Sequence, residues 1–279
     1  MNIGIVGLGL IGASMAKAIE KMGGNLVFGY DLNLDVIAAA ISDKTIDRAG
    51  KDEDLQSLDM LFLALYPKDS IEFVKRNKDK IAKECILCDF GGVKKIVCDE
   101  ISKIAKEKGF HFVGGHPMAG RELSGYFASK GDLFDGASMI LTPDESEKEC
   151  GEKLAEFFKN LGFGKVVFTT PENHDDMIAF TSQLAHVVSS AYIKSPEASR
   201  HEGYSAGSYK DLTRVARLNE FMWTELFLEN RAPLVREIDT IINHLTEYRE
   251  AIAAGDEERL FNLLKDGRER KEQIDQEVE

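Results

Sequence analysis

Residues 2–31 read NIGIVGLGLIGASMAKAIEKMGGNLVFGYD and contain the pattern that decides the fold. A short apolar run at residues 2–6 precedes the glycine motif GLGLIG at 7–12, and residues 14–22 have helical character. A second apolar run then ends at Asp31, about twenty residues after the last glycine of the motif. A strand, a glycine turn, a helix and a second strand with a terminal acid are the features of a dinucleotide-binding unit.

The glycines of this motif have separate physical roles, and the acid selects the cofactor. Gly7 permits the tight turn, Gly9 lets the backbone approach a pyrophosphate at the helix N-terminus, and Gly12 allows close packing. Asp31 accepts hydrogen bonds from ribose hydroxyls and repels a 2′-phosphate, so we expect NAD rather than NADP. A plain strand–turn–helix is the simpler alternative. The residues expected to contact the cofactor are Gly7, Gly9, Leu10, Ile11, Gly12, Asp31, Leu65 and Gly91.

Strand-like and helix-like segments alternate over the first 170 residues or so, and the pattern then changes. The alternation predicts an α/β fold with a Rossmann-like, doubly wound, mainly parallel sheet. After Thr170 the periodicity is helical, over about 174–194, 218–253 and from 256 onward. We therefore predict a dinucleotide-binding domain over 1–169 and an all-helical domain over 170–279.

Composition and charge exclude several classes of protein. The 279 residues are 43% hydrophobic and 30% charged, which is typical of a globular fold. A net charge of -13 argues against a nucleic-acid partner, because phosphate binding needs clustered Lys and Arg. No apolar run reaches the roughly 18 residues of a membrane span, and the sequence opens without a signal-peptide pattern. We expect a cytoplasmic protein with no membrane partner.

Two of the four cysteines, Cys85 and Cys88, form a CxxC motif that could indicate metal or redox chemistry. They lie in an apolar run that predicts a buried strand, where residues three apart point to opposite faces. No second CxxC or HxxxH is present to complete a tetrahedral site. We expect packed, reduced thiols and no metal site.

A histidine follows a predicted strand of the nucleotide domain, in the motif GGHPMAG at 114–120. Substrates meet the cofactor at the carboxyl ends of parallel strands. The flanking glycines leave the His116 ring little to pack on, which favours a functional role over a structural one.

Four motifs now occur in one order: VGLGLIGASMA, GGHPMAG, SQLAH at 182–186 and KDLTR at 210–214. Met222-Trp223 and Asn230-Arg231 follow them. Over almost its whole length the sequence resembles the prephenate and arogenate dehydrogenase family of tyrosine biosynthesis. The resemblance implies NAD-dependent oxidative decarboxylation of prephenate to 4-hydroxyphenylpyruvate. Hydride leaves ring carbon C4, the C4 hydroxyl loses a proton, and carbon dioxide leaves C1.

The resemblance also assigns roles to individual residues. His116 matches the catalytic histidine, which accepts the hydroxyl proton. Arg214 matches the arginine that binds a substrate carboxylate in a bidentate manner, and which of the two carboxylates it takes stays open. An Arg214 paired with an acid of its own chain is the alternative. The other residues expected to bind substrate are His174, Ser182, Gln183, His186, Lys210 and Trp223.

Helical spacing supports part of this set, because steps of four from His174 pass through Ile178 and Ser182 to His186. We therefore expect one helix face that lines the substrate pocket. Either histidine alone could equally lie on a helix surface, and Trp223 could belong to the core.

The sequence departs from the family pattern in two places. Gly92 stands where the family usually has a serine hydrogen-bonded near the catalytic histidine. Either another group holds His116, with or without a water, or the hydroxyl is dispensable. Gln183 and Ala185 replace the more frequent His and Pro, which bears on substrate preference more than on reaction type.

Other functions remain open at this point. Arogenate carries an ammonium that needs an acid, and the pocket motifs offer only Glu122 and Asp211 among several cations, so we expect prephenate as the better substrate. A 3-hydroxy acid dehydrogenase or a catalytically silent NAD-binding protein are further alternatives. The resemblance implies a homodimer joined through the helical half. Its apolar faces fit that expectation: Phe221, Met222, Leu226, Phe227, Leu234 and Ile238.

Overall fold

The computed structural model describes residues 1–121 and 123–278, and these contain an eight-stranded sheet. The strand order is β3-β2-β1-β4-β5-β6-β7-β8, and each neighbouring pair is parallel except β6 and β7, which are antiparallel. The strands are β1 Asn2–Val6, β2 Leu26–Tyr30, β3 Arg48–Ala49, β4 Met60–Leu63, β5 Ile86–Asp89, β6 His111–Pro117, β7 Ser138–Thr142 and β8 Lys165–Phe168. The predicted Rossmann-like, mainly parallel sheet is confirmed.

Five helices accompany the sheet, and both faces of the sheet are buried. They are α1 Leu10–Met22, α2 Leu34–Ser42, α3 Pro67–Asn77, α4 Lys95–Lys108 and α5 Lys148–Asn160. Alternate strand residues point to two separate hydrophobic clusters: Phe62 of β4 belongs to one, and its neighbours Leu61 and Leu63 belong to the other. Burial on both faces explains why these strands are apolar runs rather than alternating ones.

The second half of the chain is helical, as expected. Its helices are α6 Pro171–Ile178, α7 Leu184–Tyr192, α8 Gly207–Thr213, α9 Glu220–Glu229, α10 Arg231–Ala254 and α11 Glu257–Val278. Thr170 caps α6 by accepting a hydrogen bond from the Asn173 N–H, and Pro171 occupies its first turn.

Two of the three predicted long helices are interrupted. A π-helical segment, Ala179–Gln183, separates α6 from α7, so the expected helix over 174–194 is not a regular α-helix. The expected helix over 218–253 ends at Glu229 and resumes at Arg231. The break falls at Asn230, a buried residue whose side chain is hydrogen-bonded to α6 and to the π-helical segment. The spacing of apolar residues could not predict this break, because it coincides with hydrogen bonds of a polar side chain.

The chain divides into two compact units, Met1–Asn230 and Arg231–Glu279. The nucleotide-binding fold and helices α6 to α9 therefore belong to one unit, and α10 and α11 form the other. This division differs in position from the predicted domain boundary at 169/170, which stays a prediction. Within the described part of the chain, no helix combines the length and apolar character needed to cross a bilayer.

Candidate active site

The turn between β1 and α1 places three glycines in different environments. Gly7 has a φ of +87°, and a Cβ there would lie 2.6 Å from the Ala64 carbonyl oxygen. A Cβ on Gly12 would lie 1.9 Å from the Gly7 carbonyl oxygen, so this helix packs onto the turn only with glycine at that position. A Cβ on Gly9 would meet no described atom within 4 Å. Gly9 therefore leaves space for a ligand to approach the backbone.

The start of α1 and the end of β2 offer groups that fit a dinucleotide. No described side chain caps α1, so the first-turn N–H groups, including those of Leu10 and Ile11, are available to an anion. Asp31 Oδ2 accepts a hydrogen bond from the Leu8 N–H, and Oδ1 accepts one from the Asn33 N–H, both at 2.8 Å. Each oxygen keeps a further lone pair for a ribose hydroxyl. These residues fit NAD.

Leu65 and Gly91 follow β4 and β5 along the same carboxyl edge of the sheet. The Leu65 side chain lies against the glycine turn, since a Cβ on Gly7 would be 2.8 Å from Leu65 Cδ2. The Gly91 N–H donates to Asp89 Oδ2 at 3.0 Å. Both residues thus lie where a parallel sheet binds its ligand, and their contact with the cofactor stays a prediction.

His116 lies within β6 and not in the loop that follows the strand. Its main chain pairs with Ile140 of β7, and the residues before and after it, Gly115 and Pro117, are paired with β7 as well. The residue is partly exposed, and its Nδ1 lies 2.9 Å from Nε2 of His174 on α6. The two ring centroids are 5.1 Å apart. One nitrogen of His116 is therefore occupied by the protein.

His174 is itself bonded at both ring nitrogens. Its Nδ1 lies 2.7 Å from Oδ1 of Asp175, the next residue along the chain. Asp175 also accepts hydrogen bonds from the main-chain N–H groups of Lys94 and Lys95, at 2.7 and 2.9 Å. These two N–H groups stand at the N-terminus of α4, where a carboxylate is stabilised. His116, His174 and Asp175 form one hydrogen-bonded row, which answers the question left by Gly92.

A buried ion pair also contacts β6, next to His116. Lys94 and Asp89 are fully buried, and the Lys94 ammonium donates to the Asp89 carboxylate. The same ammonium donates to the Gly115 carbonyl oxygen at 2.7 Å, next to His116 in the chain. No role was predicted for Asp89 or Lys94 from the sequence, although both lie close to Gly92. A charged lysine directly after DFGGV was the available signal.

Burial controls the basicity of both histidines. The pKa of His116 lies well below its usual value, first because of burial and then because of His174 and the Lys94 charge. The pKa of His174 is lowered mainly by burial, against the opposing effect of the Asp175 carboxylate. Both rings are therefore neutral near pH 7, and a neutral His116 can accept a proton.

A second cluster joins three of the residues predicted to bind substrate. The His186 ring stacks on Trp223 with centroids 3.8 Å apart, and its Nδ1–H donates to the Ser182 carbonyl oxygen at 2.9 Å. The pKa of His186 is lowered, mainly by burial, and the positive charge of Arg214 contributes. Arg214 itself is exposed. A cation, an imidazole with a free Nε2 and an indole wall suit an anionic ring compound.

Two residues predicted to bind substrate face the interior instead. Gln183 is 1% exposed, and its side chain is bonded to Asn230 and to the Leu226 carbonyl oxygen, so its amide serves the fold. His174 is also 1% exposed and contacts His116 rather than open space. The expected single face from His174 to His186 is interrupted by the π-helical segment, which changes the angular step between residues.

The remaining predicted residues lie outside these two clusters or act through the main chain. Ser182 contributes its carbonyl oxygen to His186. Lys210 and Asp211 are exposed on α8. Glu122, the other acid considered for the pocket, lies outside the described residues.

The cysteines of the CxxC motif are buried and free. Burial raises the pKa of Cys85 to about 12 and that of Cys88 well above its usual value, so both stay protonated at neutral pH. A metal needs the thiolate. The group of described residues whose geometry could hold an ion is a different one, His111, Glu147 and Cys150, with ligand atoms within 4.8 Å of one another.

Comparison with known proteins matches both halves of the chain to one family. Residues 15–168 match the family model described as "Prephenate dehydrogenase, nucleotide-binding domain", and residues 170–266 match "Prephenate dehydrogenase, dimerization domain". A cyclohexadienyl dehydrogenase from Zymomonas mobilis is 30% identical over 277 residues, which cover 95% of this chain and 93% of that protein.

Solved structures agree with this match. Prephenate dehydrogenase from A. aeolicus, in complex with hydroxyphenyl propionate and NAD+, has a TM-score of 0.87 at 29% identity and covers 98% of both chains. Synechocystis arogenate dehydrogenase has a TM-score of 0.82 at 26% identity, covering 98% of this chain and all of that one (100%). With both domain models matched in order over most of its length, the chain belongs to the prephenate dehydrogenase family.

Proposed function

We propose that this protein is a cytoplasmic, NAD-dependent prephenate dehydrogenase that forms 4-hydroxyphenylpyruvate in tyrosine biosynthesis. The observation that carries the proposal is the hydrogen-bonded row from His116 on β6 to His174 and Asp175 on α6, because β6 belongs to the sheet whose carboxyl edge carries the dinucleotide turn. A proton acceptor and a hydride acceptor are the two parts that oxidation of a ring alcohol requires. Family membership supports the substrate class.

The glycine turn and Asp31 would hold NAD. The first-turn N–H groups of α1 would receive the pyrophosphate, and Asp31 would accept hydrogen bonds from the adenosine ribose. A carboxylate at this position disfavours the 2′-phosphate of NADP. When bound, NAD accepts the hydride that leaves C4 of the ring.

His116 would accept the proton of the C4 hydroxyl through Nε2, because Nδ1 is engaged by His174. Because burial lowers the pKa of His116, the ring is neutral near pH 7 and its Nε2 lone pair is available to accept a proton. Loss of this proton as hydride leaves C4 and carbon dioxide leaves C1 gives an aromatic phenolate, and return of a proton to its oxygen gives 4-hydroxyphenylpyruvate. The protein thus handles one proton and orients the ring.

Arg214, His186 and Trp223 would bind the substrate. A guanidinium pairs with a carboxylate through two parallel hydrogen bonds, and the indole offers a flat apolar surface to the ring. His186 can receive or donate a hydrogen bond at Nε2, since its Nδ1 is bonded to the Ser182 carbonyl. We assign the ring carboxylate to Arg214.

Arogenate is the second candidate substrate, supported by the similarity to an arogenate dehydrogenase. Arg214 gives this cluster a positive charge, and the acid Asp211, three residues before it, is exposed. A cationic pocket favours the dianionic prephenate over a side chain that carries an ammonium. Prephenate is therefore the preferred substrate in this proposal.

The protein would act as a homodimer. Helices α10 and α11 expose apolar side chains at helical spacing: Val235, Ile242, Leu245, Ile252, Phe261, Leu264 and Ile274. Exposed apolar side chains on a helical hairpin are typical of a protein–protein interface, because association removes them from water. The matched dimerization domain extends to residue 266. Leu226 and Leu234, which the sequence analysis counted among the interface residues, are buried within the chain.

Steady-state kinetics with four substrate pairs test the proposal: prephenate or arogenate, each with NAD or NADP. We expect the highest kcat/KM for prephenate with NAD, because specificity is a difference in transition-state binding. A tenfold preference for arogenate or for NADP, about 1.4 kcal/mol, would overturn that part of the assignment. Sedimentation at micromolar concentration tests the dimer, and a monomer would contradict it.

A further inference from the structure

We infer that the Asp175–His174 pair fixes His116 in the tautomer that carries hydrogen on Nδ1 and a free lone pair on Nε2. The inference rests on the proposed function, because it concerns the orientation and proton content of the proposed base. His174 and Asp175 are positioning residues here, since neither is placed to touch the substrate.

Asp175 sets the direction of the first hydrogen bond. Its two carboxylate oxygens accept from the main-chain N–H groups of Lys94 and Lys95, at the N-terminus of α4. An ionised carboxylate is an acceptor only. The contact between Asp175 Oδ1 and His174 Nδ1, at 2.7 Å, therefore has the hydrogen on the histidine.

His174 passes this choice to His116. With hydrogen on Nδ1, a neutral His174 has a lone pair on Nε2 and can only accept there. The 2.9 Å contact to His116 then has its hydrogen on His116 Nδ1. A neutral His116 with hydrogen on Nδ1 has its lone pair on Nε2, on the far side of the ring from His174. In the serine-protease triad, an aspartate likewise fixes the tautomer of the catalytic histidine.

Protonation of His174 would reverse the outcome. An imidazolium has hydrogen on both nitrogens, so it would donate to His116 Nδ1 and leave the hydrogen of a neutral His116 on Nε2. Burial opposes this protonation by lowering the pKa of His174. The charged groups that act on the two rings are Asp175 on α6, Lys94 beside α4 and Asp89 at the end of β5. Glu229 on α9 interacts with Asp175.

The row is also anchored mechanically. The Asn230 side-chain amide donates to the Asp175 carbonyl oxygen and to Gln183 Oε1, both at 2.8 Å. Gln183 in turn donates to the Leu226 carbonyl oxygen at 3.2 Å. The end of α6 is thus tied to α9, and the Asp175–His174 pair is presented to His116 by a buried polar network.

Two substitutions of His174 separate a relay from a merely structural role. In His174→Gln, Oε1 takes the place of ring Nε2 and can still accept from His116, while the bond to Asp175 is lost. In His174→Asn, the amide takes the place of Nδ1 and can still donate to Asp175, while the bond to His116 is lost. We expect Gln to retain most of kcat and Asn to lose about 10- to 100-fold, the usual cost of an orienting partner.

The matched control is His111→Gln. His111 also lies on β6 and pairs with a carboxylate, Glu147, at 2.9 Å, but it stands at the other end of the strand. The His111→Gln substitution should leave kcat unchanged. Equal losses in the Gln and Asn variants of His174, with equal losses of thermal stability, would mean that His174 is only structural and would overturn the inference.

Nitrogen NMR of the histidine side chains provides a test that needs no turnover. We expect His116 in the resting protein at neutral pH to carry its hydrogen on Nδ1, and we expect the Asn variant to shift the population toward hydrogen on Nε2. Hydrogen on Nε2 of His116 in the wild-type protein would overturn the relay. If prephenate is not turned over but this tautomer is found, the proposed function fails and the relay stands.

Discussion

The turn between β1 and α1 and the segment from α6 to α9 serve the site in opposite ways. The turn acts through its backbone: its glycines make room, and its N–H groups are left for a ligand. The helical segment acts through side chains, and its rings and amides are bonded to partners far away in sequence. An added Cβ at a packed glycine of the turn should therefore destabilise the fold. In the helical segment, the effect of a substitution should depend on which hydrogen bond or charge it removes.

The largest effect is expected at His116, which the helical segment holds through His174. His116→Asn keeps a polar group but removes the Nε2 lone pair, so kcat should fall about 10²–10⁴-fold, the usual range for a general base. NAD affinity should stay unchanged, because the substitution leaves the glycine turn intact. Titration of NAD binding and steady-state kinetics measure the two quantities. Undiminished turnover in the variant would exclude His116 as the base.

The pH dependence of the same step has a defined sign. Since burial lowers the pKa of His116, the wild-type kcat/KM should stay constant as the pH falls to 6.5 and should decline only below it. Protonation removes the base, so the decline is toward acid. An acidic limb centred above 6.5 would contradict the lowered pKa of His116.

The next effect concerns the side-chain region alone. Arg214→Ala should raise KM for prephenate about 10²-fold, near 2.8 kcal/mol, through loss of a charge-assisted hydrogen-bond pair. Arg214→Lys should restore only part, because an ammonium lacks the planar fork. Arg217→Ala, three residues along and also exposed, is the control. A normal KM in the Arg214→Ala variant would remove this residue from the pocket.

A single methyl group tests the backbone region. Gly12→Ala would place Cβ 1.9 Å from a carbonyl oxygen and should lower the free energy of unfolding by about 1–3 kcal/mol or more. Gly9→Ala meets open space, so its stability should hold while its NAD affinity falls. Urea unfolding and NAD titration distinguish the two. Equal stability losses at both positions would contradict the packing described for the turn.

A smaller effect is expected at Glu229, whose two carboxylate oxygens are buried and have no hydrogen-bond partner among the described residues. Burial, followed by Glu225, raises its pKa to about 7. A raised acid pKa means that the folded state holds a proton that the unfolded state releases. The free energy of unfolding should therefore fall as the pH rises from 4.5, the ordinary pKa of a glutamate, to about 7.

Glu229→Gln removes that fall. Because the side chain is partly exposed, we expect a gain of about 1–2 kcal/mol at pH 8 and almost none at pH 4. Urea unfolding at the two pH values is the measurement, and the exposed Glu202→Gln is the control. A variant that gains equally at both pH values would show that ionisation of Glu229 is not the cause.

The smallest effect is expected at Gly92. A Cβ there would make ordinary contact with Leu226 at 3.5 Å, so Gly92→Ser should fold with stability within about 0.5 kcal/mol of wild type. Turnover should change little, because His174 already holds His116. Gly115→Ser, whose Cβ would lie 2.6 Å from Cys88 Sγ, should be destabilised. A large rise in kcat for Gly92→Ser would mean that the row leaves His116 poorly held.

The backbone region could be read from the sequence, and the side-chain region only in part. The glycine turn is contiguous, so spacing alone identifies it. His116 and His174 are 58 positions apart, and the Lys94 N–H and Asp175 are 81 apart. Residue types and the family resemblance singled out His174 but placed it in the substrate pocket. Only the fold shows that its ring is buried against His116.

The polar interior of the helical half was hidden for a related reason. Asn230 and Gln183 satisfy each other inside the protein, so their burial cannot be inferred from hydrophobicity. The π-helical segment likewise has no signature in the spacing of apolar residues. His186, Trp223 and Arg214 lie near one another in the structure, and each belongs to a sequence motif that could be recognised. Their roles toward substrate stay predictions.

The π-helical segment Ala179–Gln183 has a consequence for how this protein can change over generations. A π-helical turn holds about one residue more than the α-helical turn that it replaces, for a similar total rotation. Loss of one residue there would therefore restore a regular α-helix and leave His174 and His186 facing nearly the same directions as now. The segment is thus a place where the chain can lose one residue without turning the ring that contacts Trp223 away from the ring that contacts His116.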